Sequence, residues 1–473
     1  MGKELLAALV VSVVVVGQAL ADDLSQAALQ PSTPPATGPV TDNGAKVALD
    51  TAAGVTFGLG LPSQVPWTPP PFPVTTPNSP TVPLPYFSPP PQGPSPEQLA
   101  RIPGGSRFWG GFEYLMWWDK KAPLPSDFIT TGSPRDAVPG ALGQPNTHVF
   151  YTSPVVDFYQ IQGLQVTAGA WFDAQQMLGV EGSGFLLEKR THVFQATSDA
   201  LGNPLLAFAH FDPLPRGSPD AFVASEPRGG KTGPFSGSLS FDTDTQLWGT
   251  EANLVHALVW LPNLRVRLLG GFRYLDLDEH LAFFFQRVTV GSATVPFLGK
   301  TFPSSLQLAD DSFQVHNQFY GPQIGLDGQY FFGKVFVGMG GKLSMGATHE
   351  VLTVSGNSTL QQVRRPVQTA VGGLYALPSN IGRLEADQFG VVPQAQAQLG
   401  WQPVRWVRGW IGYDFMYWSQ VLRPGSQVDL RVNPAEVPTD SGFRGVRTSS
   451  PAPQFNRTDF WTQGLSFGVE LTF

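Results

Sequence analysis

Trp461-Thr462-Gln463-Gly464-Leu465-Ser466-Phe467-Gly468-Val469-Glu470-Leu471-Thr472-Phe473 closes the sequence, and its reading decides the fold class. Trp461, Leu465, Phe467, Val469, Leu471 and Phe473 share one face of an extended chain, with Gln463 as the exception. Thr462, Gly464, Ser466, Gly468, Glu470 and Thr472 share the other. Successive side chains of a strand point to opposite faces, so this is a strand with one apolar face and one small or polar face. An ordinary half-buried strand alternates too. Here, however, the apolar face ends on a terminal aromatic, the pattern that outer-membrane insertion machinery reads. The apolar residues of this strand are therefore the expected assembly signal. Outer-membrane lipid and the assembly machinery are the expected partners.

Segments upstream repeat the pattern. Leu164, Val166, Ala168, Ala170 and Phe172 alternate with Gln165, Thr167, Gly169, Trp171 and Asp173. Leu264, Val266, Leu268, Phe272 and Tyr274 alternate with Arg265, Arg267 and Arg273. Val335, Val337, Met339, Leu343 and Met345 alternate with Lys334, Lys342 and Ser344. Phe389, Val391, Ala395, Ala397 and Leu399 alternate with Gln394, Gln396 and Gln398. Mid-strand arginines and lysines on the inner face do not suit the dry core of a sandwich. They suit a polar barrel lumen with lipid outside.

The expected strands are 107–118, 161–173, 176–190, 245–258, 264–276, 312–327, 334–346, 388–401, 405–419 and 458–473. Their connections alternate. Long ones (119–160, 191–244, 277–311, 347–387, 420–457) are separated by short ones (174–175, 259–263, 328–333, 402–404). Long external loops and short periplasmic turns are the habit of outer-membrane barrels. The fold expected is thus all-β: an antiparallel transmembrane β-barrel of ten strands. Twelve is the alternative, if Leu281-Ala282-Phe283-Phe284-Phe285 forms a further hairpin with 298–308 instead of extending a strand above the membrane.

Composition agrees. Charged residues are 14% of the 473, against about 25% in a typical soluble protein, while aromatics reach 12% and there are 52 glycines. A net charge of −7 argues against nucleic-acid binding. With no cysteine, disulfides, thiolate metal sites and a Cys nucleophile are excluded. Residues 1–21 read as a signal peptide, with an apolar core from Leu5 to Val16 and Ala19-Leu20-Ala21 as the cleavage site. Residues 22–106 read as a disordered periplasmic linker, because runs such as Pro89-Pro90-Pro91 remove backbone donors and fix φ. The barrel is expected over 107–473. Trp109, Trp117, Trp118, Trp260, Tyr330, Phe331, Phe332, Trp401, Trp406, Tyr417 and Trp418 fall near strand ends, where a membrane girdle needs aromatics.

The first strand, Phe108-Trp109-Gly110-Gly111-Phe112-Glu113-Tyr114-Leu115-Met116-Trp117-Trp118, resembles the opening block of the BBP7 family of β-barrel porins. Thr130-Thr131-Gly132, Trp248-Gly249-Thr250-Glu251-Ala252-Asn253 and Gly271-Phe272-Arg273-Tyr274-Leu275 are similar to later blocks. So are Asn317 to Gln323, Gly412-Tyr413-Asp414-Phe415, Arg423-Pro424-Gly425 and Phe460 to Leu465. The resemblance runs in order from about 107 to 473. It implies an outer-membrane barrel and supplies no catalytic residues.

Other motifs carry less. Gly464-Leu465-Ser466-Phe467-Gly468 matches a nucleophile elbow, but an elbow needs a following helix. Gly230-Lys231-Thr232 resembles a phosphate loop, yet Ser225 stands where its first glycine should be. The seven histidines show no metal-ligand spacing in sequence. No catalytic set, cofactor or metal is expected. The residues expected in the lumen are Glu251, Asn253, Arg265, Arg267 and Arg273, with Asp327 and Lys342 as a pair across another turn. They would form either a constriction that screens small polar solutes or a salt-bridged ladder that plugs a narrow barrel. The functional expectations are a porin or, alternatively, a non-conducting surface adhesin or envelope-structural barrel.

Overall fold

The computed structural model describes residues 107–213, 217–230 and 233–473; the expected signal peptide and linker lie outside them. Ten long strands follow one another: β1 (Phe108–Asp119), β2 (Gln160–Trp171), β3 (Leu178–Leu187), β4 (Phe235–Trp260), β5 (Leu264–Thr289), β6 (Ser305–Phe332), β7 (Val335–Gln362), β8 (Gly382–Val404), β9 (Val407–Leu422) and β10 (Arg457–Thr472). Each pairs antiparallel with its chain neighbour, and β1 closes the circuit on β10, from Trp109 opposite Thr472 to Asp119 opposite Thr462. Two shorter strands complete a 12-stranded sheet. Arg190–Thr197 continues the line of β3 along the upper half of β4, and Gln368–Val371 lies beside β7. Closure leaves the long strands no free edge over their shared lengths.

The turns at one end are short. Gly333, at φ +68, makes the two-residue link from β6 to β7. Asp173 accepts the amides of Met177 (2.8 Å) and Leu178 (3.0 Å) in the link from β2 to β3.

The strands run much farther than the sequence reading expects, because their polarity inverts partway while the register continues. On β4 the inward residues are Phe235, Leu239, Phe241 and Leu247, then Glu251 and Asn253. Outward lie Ser238, Ser240, Asp242, Asp244 and Gln246, then Trp248, Leu254 and Leu258. On β6 the inward Phe313, Val315 and Phe319 give way to Gln323 and Asp327. Outward Ser312, Gln314 and His316 give way to Tyr320, Ile324 and Leu326. Near the short turns the wall is therefore apolar outside and polar inside, as lipid demands. Above that level it is polar outside and apolar inside, as water demands. Residues 235–244, 277–289, 305–311, 347–362 and 382–387, expected in loops, are strand. Leu281 to Phe285 extend β5 and start no further hairpin.

The aromatic girdle divides likewise. Trp118, Tyr330, Phe332, Trp401 and Trp406 face out and are exposed. Trp109, Trp117, Phe331 and Trp418 are buried on the inner face, against expectation, and Trp260 packs inside with Trp109 and Trp171. A tryptophan at a strand end can serve either side; parity along the strand decides which.

The upper interior is filled by the long connections. A four-stranded sheet of Ile129–Thr131, His148–Val149, Leu206–Asp212 and Ser218–Ser225 forms the centre of this cap. Phe128 stacks on Phe208 at 6.1 Å and meets the inward Phe241 and Phe283 edge-on, at 5.6 and 5.5 Å. Asp311 on β6 accepts the backbone amides of Leu374, Tyr375 and Ala376 at 2.9–3.1 Å. The Tyr375 hydroxyl donates to the Ala209 carbonyl at 2.9 Å. Arg423 pairs with Glu279 on β5, and both side chains are 1% exposed. The cap is thus tied to the wall by apolar packing and by buried polar clamps.

One cap residue makes this attachment depend on pH. His210 is buried against Phe222 (ring centroids 4.1 Å apart), and the nearest Asp220 oxygen is 3.9 Å away, beyond a hydrogen bond. Burial lowers its pKa to about 3. A histidine neutral in the folded cap and protonated when released contributes stability above its ordinary pKa of about 6.5 and loses it as pH falls towards 3. At pH 4.5 the loss should reach about 3 kcal/mol, two pH units at about 1.4 kcal/mol each. Hydrogen exchange at the Phe208 and Ala209 amides, corrected for intrinsic rates, should lose more protection on passing from pH 7 to 4.5 in the unsubstituted protein than in His210→Phe. The same pH dependence in both proteins would refute this.

Candidate functional site

The enclosed interior is the candidate site, and it is layered. At the end with the short turns, Trp109, Trp171 and Trp260 pack in series, at 5.0 and 5.7 Å between centroids. Arg265 lies between the rings of Trp260 and Phe331, 4.9 and 4.8 Å from their centroids. Gly169 allows the Trp109 ring to lie flat on the wall, since a Cβ there would stand 2.0 Å from it.

The middle layer is charged. Glu251 on β4 accepts from Arg273 Nε on neighbouring β5 at 3.1 Å, and from Lys342 on β7. Arg273 Nη2 reaches on to Gln394 of β8 at 2.5 Å. Asn253 donates to Glu251 at 3.1 Å and accepts from Gln323 of β6 at 2.6 Å. Arg267 makes a two-pronged contact with Asp327, 2.9 Å on each arm, and extends Nη1 to Glu181 of β3 at 3.2 Å. Arg408 joins Glu470 at 2.7 Å and Gln329 at 2.8 Å. Several of these contacts link strands two or three apart in the circuit, which only inward-facing side chains can do. Buried charges persist when paired and hydrogen-bonded as here.

All seven residues expected in the lumen face inward. Glu251, Asn253, Arg273 and Lys342 belong to one network and Arg267 to another. Arg265 serves the aromatic layer. The expected Asp327–Lys342 pair is not formed: register puts Gly340 opposite Asp327 and Gly325 opposite Lys342. Asp327 takes Arg267 on the strand to its other side, and Lys342 crosses the lumen to Glu251. Sequence reasoning missed Glu181, Arg408, Glu470 and Gln394. Glu181 and Gln394 meet their partners on strands two and three places away, which only closure brings together. Arg408 and Glu470 stand directly opposite each other on neighbouring β9 and β10, and their inward positions in strands of period two were the signal that could have found them. Between these groups remains a cavity of ≈ 80 Å³ lined by residues including Glu113, Gln165, Glu181, Arg267, Arg408 and Glu470. That is room for a few waters. Ser466 stands mid-strand in β10, not at a strand-to-helix turn.

The third layer is the apolar cap, where Phe128, Phe208, Phe283, Phe313 and Tyr375 are all at most 1% exposed. Among the described residues, side chains thus occupy three successive levels of the interior. Among the described residues, the one compact group of His and carboxylate ligands lies on the outer wall, not in this interior.

Among solved structures, the outer-membrane protease OmpT of Escherichia coli is similar at 8% identity and a TM-score of 0.37, covering 78% of this chain and 97% of its own. A FadL homologue of Pseudomonas aeruginosa is similar at 6% identity and a TM-score of 0.21, covering 78% and 90%. The toluene transporter TodX of Pseudomonas putida is similar at 10% identity and a TM-score of 0.17, covering 80% and 92%. Likenesses of this size carry no argument about activity. No curated protein matches the sequence. The family described as beta barrel porin-7 (BBP7) matches residues 109–473, almost the whole closed sheet and its cap, and the chain therefore belongs to the BBP7 family.

Proposed function

We propose that the protein is a non-enzymatic outer-membrane barrel, anchored by ten membrane-crossing strands, whose interior is closed and whose working surface is its extracellular head. The observation that carries this reading is the three-layered interior. Tryptophans fill one end, ion pairs bridge the middle, and the cap fills the other end. A barrel of about eight strands is just filled by side chains, and ten is only slightly wider. The polarity inversion supports insertion in a bilayer, with outer-membrane lipid against the apolar belt and β10 as the segment engaged by the assembly machinery. On this reading the barrel is an envelope-structural or adhesive protein.

A pore for small polar solutes is the second reading, favoured by the charged, water-sized cavity and by the name of the family. It requires the cap and the lumenal pairs to move together. Purified protein in planar bilayers separates the two. The closed reading expects no stepwise conductance at protein concentrations at which an open porin inserts readily. Regular steps of open-porin size would overturn it and establish the pore.

A further inference from the structure

We propose that Asp242, Asp244 and His280 form a binding site for a divalent transition-metal ion, of the zinc or manganese class, on the outer wall of the barrel above its apolar belt. Asp242 and Asp244 stand two apart on β4, so both side chains point outward. His280 lies directly opposite Asp244 on β5. Its Nδ1 is 3.8 Å from Oδ2 of Asp242 and 3.8 Å from Oδ2 of Asp244. Each residue offers one ligand atom, and these atoms lie within 4.8 Å of one another. Such separations are too long for hydrogen bonds. The two imidazole–carboxylate separations of 3.8 Å fall at the upper limit for donors that share an ion, where bonds of about 2.0–2.2 Å at angles of about 90–120° set ligand atoms roughly 2.8–3.8 Å apart.

Two groups outside the trio fix the orientation of its donor atoms. The second ring nitrogen of His280, Nε2, is 2.9 Å from Ser312 Oγ on β6. That contact determines which nitrogen faces the carboxylates, the task that outer-shell partners perform for metal-bound histidines. Lys189 Nζ holds the other Asp244 oxygen, Oδ1, at 3.0 Å. It leaves Oδ2 aimed at His280. All three ligands are half-buried and stand on two strands joined by an unbroken ladder through this region, so the site is rigid before an ion arrives. One imidazole with two carboxylates suits zinc or manganese better than a site built of oxygen alone, and three protein ligands leave positions open to solvent. The histidine spacing in the sequence conceals this group because its members come from different strands.

Isothermal titration of the full chain in detergent micelles, first with zinc chloride and then with manganese chloride, tests the proposal. The expected result is one saturable ion per chain. His280→Ala, Asp242→Asn and Asp244→Asn should each weaken binding at least tenfold, and Ser312→Ala about tenfold. His349→Ala should leave affinity unchanged, since His349 pairs with Asp387 elsewhere on the wall. Heat-modifiable migration on gels reports whether each variant stays folded, and the two conservative asparagine variants keep the test decisive if His280→Ala does not. Absence of saturable binding in the unsubstituted protein, retention of full affinity in the folded aspartate variants, or an equal loss in His349→Ala would overturn it.

Discussion

Replacing Glu251 by alanine is expected to destabilise the barrel by about 3–5 kcal/mol, the usual consequence of stranding buried charge. Glu251 holds both Arg273 and Lys342, and its side chain is 6% exposed. Without it, two cations face each other in a lumen with no room for bulk water. Arg273 retains Gln394, a neutral acceptor that cannot offset its charge. The measurement is the urea midpoint of the protein refolded in lipid vesicles. A double variant, Glu251→Ala with Lys342→Met, should recover part of the loss, because one stranded cation is removed. A loss below about 1 kcal/mol for the single variant would mean that the lumen is hydrated well enough to screen these charges, and would weaken the closed-barrel reading.

The second large effect separates the two zones of the wall. Ile324 is 55% exposed and stands mid-belt on β6, between Tyr320 and Tyr330. Ile324→Arg should cost about 2–4 kcal/mol in vesicles, as an arginine does on the lipid face at the bilayer midplane. Gln314→Arg, on the same face of the same strand but above the belt, should change stability by less than about 0.5 kcal/mol. The two introduced arginines share a strand and a face and stand at different heights. Equal effects would remove the bilayer from the account and leave a water-soluble barrel with a greasy exterior.

What the sequence revealed follows from the same division. Period-two alternation with apolar residues on a constant face locates every strand where it crosses the belt, so ten segments and their short turns are legible. It fails above the belt. On β4 the apolar set moves from even positions (Trp248, Leu254, Leu258) to odd ones (Phe235, Leu239, Phe241), and a reader who follows one face ends the strand at the change. The cap is hidden for another reason: segments such as 373–381 and 424–437 pack without any period. The lumen was legible strand by strand but not across the circuit. Glu251 and Arg273 on neighbouring strands could be matched on paper. Lys342 with Glu251, and Arg267 with Glu181, required the cylinder to close.

The inversion of polarity within unbroken strands also sets a height. β5 continues from Asp276 to Thr289 beyond the level of Tyr274, and β6 runs back alongside it. At about 3.3 Å per residue and a tilt of about 40°, the wall rises on the order of 30 Å past the apolar belt. It does so as a hydrogen-bonded turret, not as tethered loops. In the proposed outer-membrane setting, its crown would clear the sugars of neighbouring glycolipids and meet large, slowly diffusing objects such as another cell, a phage or an antibody. Whatever touches the lower flank would have to be small enough to pass between those sugars.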